Sequence, residues 1–199
     1  MKKIVIAAAA LAAAAPAYAQ EAPQQSPFTG ARVEGRVGFD RVVATIGDGQ
    51  SDESEGESGV VYGGEAGFDF DLNSVVVGAY AGIEGSSVKI SADGDSLRAG
   101  RNITVGGRIG FLASPTALIY AKGGYSNGQL RLNTTALRYR DELDGFHLGA
   151  GGEVLFGTNL YGKLEYVYTN YSTGIDRDDF GFDLDLERHQ VVAGLGVRF

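Results

Sequence analysis

The stretch that decides the fold class is Arg188-His189-Gln190-Val191-Val192-Ala193-Gly194-Leu195-Gly196-Val197-Arg198-Phe199. Polar and small residues occupy one set of alternate positions: Arg188, Gln190, Gly194, Gly196 and Arg198. Apolar residues occupy the other set: Val191, Ala193, Leu195, Val197 and Phe199. Successive side chains of a β-strand point to opposite faces of the sheet, so this period of two predicts a strand with one charged and one apolar face.

The same alternation recurs along the chain. It predicts eight strands, at residues 29–42, 59–71, 75–86, 100–112, 117–128, 144–156, 160–171 and 187–199. Three connections are short and rich in turn-forming residues, at 71–74, 113–116 and 157–159. The other four are long and charged, at 43–58, 87–99, 129–143 and 172–186. Short turns at one end and long loops at the other are typical of outer-membrane barrels.

The two faces differ in a way that predicts their orientation. The polar face is rich in Gly and carries single charges of both signs, as suits a crowded interior. The apolar face has aromatic residues at both strand ends: Phe68, Phe70, Phe111, Phe156 and Phe199 beside the short turns, and Tyr62, Tyr125, Phe146, Tyr166 and Tyr168 beside the long loops. Two aromatic belts are typical of two membrane interfaces. We therefore predict an all-β, eight-stranded antiparallel up-and-down transmembrane β-barrel; a water-soluble barrel with its faces reversed is the alternative.

The predicted interior contains balanced charges. Seven basic residues face inward (Arg32, Arg36, Arg108, Lys122, Lys163, Arg188 and Arg198), against seven acidic ones (Glu34, Asp40, Glu65, Asp69, Glu84, Glu153 and Glu165). Side chains can fill the inside of an eight-stranded barrel, and charges removed from water need partners. We predict a plug of ion pairs, in which Glu84, Glu153 and Glu165 pair with Arg108, Lys122 and Lys163. An open pore is the alternative.

The N-terminus predicts export. Lys2 and Lys3 precede an apolar run from Ile4 to Ala15, and a small-x-small cleavage site ends at Ala19. We predict a signal peptide at 1–19, a flexible segment at 20–27 and the barrel at 28–199. Without the two lysines, 15 basic residues (17 − 2) stand against 25 acidic ones, a net charge of about −10 that argues against a nucleic-acid partner. The chain has no Cys, which excludes disulfides and thiol metal sites.

The final stretch, Arg188 to Phe199, also resembles the last strand of the outer-membrane β-barrel domain family, which includes opacity-like surface proteins and OmpA/OmpX-type barrels. Residues 118–125 and 164–168 are similar to family strands five and seven. The resemblance covers residues 28–199 and implies that the terminal Phe199 is read by the barrel-assembly machinery. It implies no catalytic motif. Because no further segment follows strand eight, we do not expect the cell-wall anchoring of full-length OmpA-type proteins.

The sequence offers few candidate catalytic or ligand-binding residues. The two histidines, His147 and His189, are predicted near the loop-side rim, with no Ser or carboxylate at a recognisable motif spacing. We predict no enzyme and no catalytic, cofactor or metal site. The acidic stretches at 47–57 and 176–185 match no calcium motif and are expected to be solvated loops. Arg131, Arg138 and Arg140 are candidates for contacts with the anionic sugar phosphates of lipopolysaccharide.

Three functions follow as hypotheses. The first is a structural or surface barrel of the outer membrane, with outer-membrane lipid, lipopolysaccharide and the barrel-assembly machinery as partners, and we expect it to be a monomer. The second is a small channel for ions or solutes. The third is a soluble periplasmic ligand-binding barrel, which would need no detergent for extraction.

Overall fold

A computed structural model describes residues 27–47, 52–87, 89–92, 95–133, 138–172 and 183–199. The predicted signal peptide and residues 20–26 of the predicted flexible segment lie outside this part. The described residues include no helix long and apolar enough to cross a membrane. They form nine strands: β1 (Gly30–Gly47), β2 (Asp52–Asp71), β3 (Val75–Ser86), β4 (Lys89–Ala92), β5 (Asp95–Ser114), β6 (Ala117–Asn133), β7 (Arg138–Phe156), β8 (Leu160–Ser172) and β9 (Asp183–Arg198).

Eight of these strands close into a barrel. Each pairs antiparallel with its neighbour along the chain, β3 pairs directly with β5, and β1 pairs with β9 to complete the ring. The closing seam runs from Arg32 opposite Arg198 to Gly47 opposite Asp183. Closure satisfies the backbone groups that lipid would leave unpaired. The predicted eight-stranded antiparallel up-and-down topology is confirmed.

The strands are longer than predicted at the loop end. Gly47 pairs with Asp52 and Asn133 with Arg138, so most of residues 43–58 and 129–143 belong to hairpin arms. The short β4, inside the predicted loop 87–99, pairs only with the extended part of β5. Alternation stops marking a strand once both faces are polar, whereas backbone pairing continues. Arg131, Arg138 and Arg140 therefore lie in strands β6 and β7, and their placement in a loop was wrong.

The opposite end has the predicted tight turns. In the first, Leu72 N–H donates to Val75 O (2.7 Å) and Ser74 N–H to Asp71 Oδ1 (3.1 Å). Asn73 adopts a left-handed φ of 63°, which Asn tolerates better than most residues. At the third turn Gly157, with φ 79°, supplies the same conformation.

The orientation of the two faces is as predicted. All fourteen predicted inward charges are buried, whereas apolar residues of the other face are exposed, as Leu164 (62%) and Ile109 (51%) show. Large aromatic residues lie outside at both strand ends; Phe39, 76% exposed, belongs with the loop-side aromatics although it was not predicted there. This distribution contradicts the reversed, water-soluble barrel, which would place the charges outside.

Candidate functional site

The barrel interior is the candidate site, and its floor is apolar. Phe28, just before β1, enters the short-turn end and is fully buried. It belongs to a cluster of six side chains: Phe28, Val76, Leu118, Tyr120, Leu155 and Tyr161. Sequence reasoning missed this floor, because Val76, Leu118 and Leu155 are apolar residues on an otherwise polar face and Phe28 precedes the alternating pattern.

Directly above the floor, four residues form a closed ionic ring. The Arg108 guanidinium donates to both carboxylate oxygens of Asp69, at 2.8 and 2.6 Å. Arg198 donates to Asp69 (2.9 Å) and to Glu153 (2.6 Å), and Arg108 reaches Glu153 at 3.1 Å. Arg198 also donates to the backbone oxygen of Phe28 (3.1 Å), with its guanidinium 5.3 Å from that ring. The ring of charges is thus joined to the apolar floor.

The middle of the barrel is organised around Glu65, which has four basic neighbours. Its carboxylate lies 2.8 Å from Arg32, 2.7 Å from Arg36 and 2.7 Å from Lys122, with Lys163 at 3.7 Å. All five side chains are at most 4% exposed. These contacts join strands β1, β2, β6 and β8, so the network crosses the lumen and does not merely line it.

Glu165 and Glu34 extend this middle layer. Glu165 contacts Arg36 (2.8 Å), Lys163 (3.1 Å) and Lys122 (3.3 Å), and accepts a hydrogen bond from the Tyr120 hydroxyl (2.8 Å). Glu34 pairs with Lys163 (2.5 Å) and accepts from the Tyr161 hydroxyl (2.7 Å). The two tyrosines therefore connect the ionic layer to the apolar floor, to which their rings belong.

Two of the three predicted glutamate pairings are present, and the one predicted for Glu84 is wrong. Glu153 pairs with Arg108, and Glu165 with Lys122 and Lys163, as predicted. Glu84 instead contacts Arg36 (3.1 Å) and lies 3.8 Å from Arg188, with Gln190 donating at 3.2 Å. Glu84 is near the loop end of β3, too far along the barrel to meet Arg108. Arg188 itself makes a bidentate contact with Asp40, at 2.8 and 2.6 Å.

Glycine on the inner face makes room for the long side chains. Three interior tyrosines each have a glycine as their direct cross-strand partner: Tyr80 with Gly106, Tyr120 with Gly151 and Tyr161 with Gly196. A Cβ on Gly196 would lie 2.5 Å from Cζ of Tyr161, well inside ordinary contact distance. Which glycine faces which tyrosine depends on strand register, so the sequence alone does not show these pairs.

The two histidines lie on different faces. His147 is buried, with Nε2 at 2.5 Å from the Tyr80 hydroxyl and Nδ1 at 2.8 Å from the Ser126 hydroxyl. His189 is on the outer wall, where Nδ1 is 2.7 Å from the Tyr166 hydroxyl. Within the described ranges, no group of three or more His, Asp or Glu is arranged to hold a metal ion.

With this geometry in view, the comparison with known proteins identifies the family. Residues 5–199 match the outer membrane protein beta-barrel domain. The chain belongs to this family. It is an outer-membrane protein, and the short turns at the end that holds Phe28 are therefore on the periplasmic side.

Relatives of this outer-membrane barrel have the same location. It is 29% identical over 141 residues to a 22 kDa outer membrane protein of Rhizobium leguminosarum bv. viciae (69% of this chain, 66% of the relative). It is 30% identical over 163 residues to a 31 kDa outer-membrane immunogenic protein of Brucella melitensis biotype 1 (71% and 67%). The chain thus spans about two thirds of these two relatives. A 25 kDa outer-membrane immunogenic protein of Brucella ovis is 27% identical over 212 residues (98% and 96%).

Two solved structures share the fold of this outer-membrane barrel. Ail, the attachment invasion locus protein of Yersinia pestis, superposes with a TM-score of 0.52 at 13% identity, covering 85% of this chain and 99% of Ail. Neisserial surface protein A gives a TM-score of 0.51 at 14% identity, covering 83% and 97%. At these identities the likeness concerns architecture only.

Proposed function

We propose that this protein is a structural and surface barrel of the outer membrane whose lumen is closed to solutes. The observation that carries the proposal is the network around Glu65, in which side chains from four strands meet across the lumen. Beneath it, the Asp69–Arg108–Glu153–Arg198 ring and the apolar floor close the periplasmic end. A rigid, filled cylinder of this kind would contribute to envelope integrity and present its loop end to the outside.

The alternative, a small channel, requires this interior to move aside. An ion crossing the barrel would have to separate buried pairs such as Arg108–Asp69, and charges that lose their partners away from bulk water are costly. The described interior is also balanced, with seven buried acidic and seven buried basic side chains. Such a lumen has no excess of one sign to attract a particular ion.

Conductance measurements test this proposal. We expect the purified, refolded protein to give no current steps in planar bilayers. Arg36→Ala/Glu165→Ala removes a charge-neutral pair (2.8 Å), and adding Phe28→Ala opens the floor, so this triple variant should give steps. Refolding of both proteins is checked by heat-modifiable migration on gels. Reproducible steps in the unaltered protein would refute the closed lumen and favour the channel.

We also propose that the loop end contacts anionic sugar phosphates of lipopolysaccharide through Arg131, Arg138 and Arg140. In the backbone register Arg131 stands opposite Arg140 on one side and Arg98 on the other, and Arg138 stands opposite Asn133. Like charges directly opposite one another destabilise a sheet unless something compensates them, and an anionic ligand would do so. Ail, which shares the fold, has been solved with the heparin analogue sucrose octasulfate, itself a polyanionic sugar.

The test of this second proposal removes the three arginine charges together. Arg131→Gln/Arg138→Gln/Arg140→Gln should weaken binding of lipopolysaccharide to the refolded barrel about tenfold or more, as expected when charge-assisted hydrogen bonds are lost. Binding is measured by co-sedimentation at two salt concentrations, because the electrostatic part is screened by salt. Unchanged binding in the triple variant would remove these three residues from the proposal.

A further inference from the structure

A second basic site lies on the outer wall, on the opposite side of the barrel from β5 and β6. The outer face of β1 changes from Phe39 to Arg41, and that of β9 changes from Val191 to His189. Phe39 pairs with Val191, and Arg41 pairs with His189. Arg41 and His189 are thus the first ionisable residues above the apolar wall on two neighbouring strands. In an outer-membrane barrel this boundary is the headgroup level of the outer leaflet.

The surroundings orient His189. Nδ1 of His189 is bonded to the Tyr166 hydroxyl at 2.7 Å, and the Tyr168 ring packs with its centroid 5.3 Å away. No partner for Nε2 is found among the described residues, so the second nitrogen remains available on the outer wall. The next acidic group, Glu187, accepts a hydrogen bond from the Tyr168 hydroxyl at 2.6 Å.

Arg41 lies on the outer face of β1, near its loop end. Its side chain is exposed and forms no ion pair with the described part of the chain. It passes over Gly56 of β2, where a Cβ would lie 3.2 Å from Arg41 Nε. A glycine at this position therefore leaves room for the Arg41 side chain beside β2. The lack of an ion pair among the described residues is notable, because acidic residues are abundant in a chain with a formal net charge of −8.

We propose that Arg41 and His189 bind a phosphate group of an outer-leaflet lipid, with lipid A as the natural source. Arginine recognises phosphate through parallel N–H donors, and a histidine fixed at Nδ1 can donate from Nε2. Phe39 and Val191, immediately below, contact the acyl chains of the same lipid. The site is separate from the ion pairs of the lumen and from Arg131, Arg138 and Arg140. It rests on the proposed function only in requiring that Arg41 and His189 lie at the headgroup level of the outer leaflet.

The test compares Arg41→Gln, His189→Asn and the double variant with the unaltered protein, each refolded in detergent. Native mass spectrometry measures binding of diphosphoryl lipid A. We expect about tenfold weaker binding for Arg41→Gln, the size expected for one charge-assisted bond, and a smaller loss for His189→Asn. Monophosphoryl lipid A, phosphatidylethanolamine and inorganic phosphate are the comparison ligands. Tighter binding of the diphosphoryl lipid than of free phosphate supports a lipid site.

Arg101→Gln provides the matched control, because Arg101 is exposed on β5, across the barrel from β1 and β9. We expect it to leave lipid A binding unchanged. Equal losses for Arg41→Gln and Arg101→Gln would overturn the site in favour of diffuse charge attraction, and so would equal binding of lipid A and phosphatidylethanolamine. Neither substitution lies in the lumen. The conductance measurement therefore tests the closed lumen, the lipid A measurement tests this site, and either proposal can fail without the other.

Discussion

Glu65→Gln should destabilise the folded barrel by about 3–5 kcal/mol, the range measured when one partner of a buried ion pair is removed. Glu65 is the acidic centre of the middle layer, with Arg32, Arg36 and Lys122 within 2.8 Å and Lys163 at 3.7 Å. Glutamine keeps the shape of the side chain but removes its charge. Four cations then remain in a region without bulk water, compensated by fewer carboxylates.

The measurement is urea unfolding of the barrel in phospholipid vesicles, followed by far-ultraviolet circular dichroism because the chain has no Trp. Glu57→Gln is the control: it makes the same chemical change in the same strand, but Glu57 is exposed. We expect little change there, as is usual for surface substitutions. Equal unfolding midpoints and slopes for the two variants would contradict the central role of Glu65.

Phe28→Ala should be comparably costly, at about 3–5 kcal/mol, because it empties a packed apolar site. Phe28 is fully buried against Val76, Leu118 and the rings of Tyr120 and Tyr161. Its ring also faces the Arg198 guanidinium at 5.3 Å, and its backbone oxygen accepts a hydrogen bond from the same side chain. Removing the aromatic side chain therefore weakens both the apolar floor and the contacts of Arg198 with it.

Phe39→Ala separates this effect from the general loss of an aromatic side chain. Phe39 lies in β1 toward the loop end and is 76% exposed on the outer wall, where alanine leaves no internal cavity. We expect Phe28→Ala to lower the unfolding midpoint in vesicles clearly more than Phe39→Ala does. If Phe39→Ala were the more damaging of the two, Phe28 would not be part of a packed floor.

Sequence patterns were sufficient for the membrane-spanning part of the fold. Alternation such as that of Arg188–Phe199 predicted the strands and the inner face, because a period of two assigns each side chain to one side of the sheet. The same rule failed at the loop end, where β1 continues to Gly47 and β7 begins at Arg138. Outside the membrane neither face must be apolar, so pairing leaves no periodic mark in the sequence.

The individual contacts of the interior required the tertiary structure. The sequence predicted which fourteen charges face inward, but it paired Glu84 with the wrong basic residues, since neighbours in the lumen come from distant strands at the same height. The position of a side chain along the barrel axis depends on strand tilt and register, and no local sequence pattern contains either. Phe28 was missed for a related reason. It precedes the first strand, so alternation does not assign its side chain to either face, and only the folded barrel shows that it is buried.

The amino-acid sequence by itself determined that this chain folds as a two-faced barrel, because the requirement to pair every backbone group in lipid and to separate charge from hydrocarbon acts on each strand locally. The tertiary structure alone decided which ion pairs cross the lumen, that Phe28 packs into its periplasmic end, and that Arg41 stands beside His189 on the outer wall. These features depend on register across the sheet and on closure of β1 against β9, which set long-range distances that residue spacing does not specify.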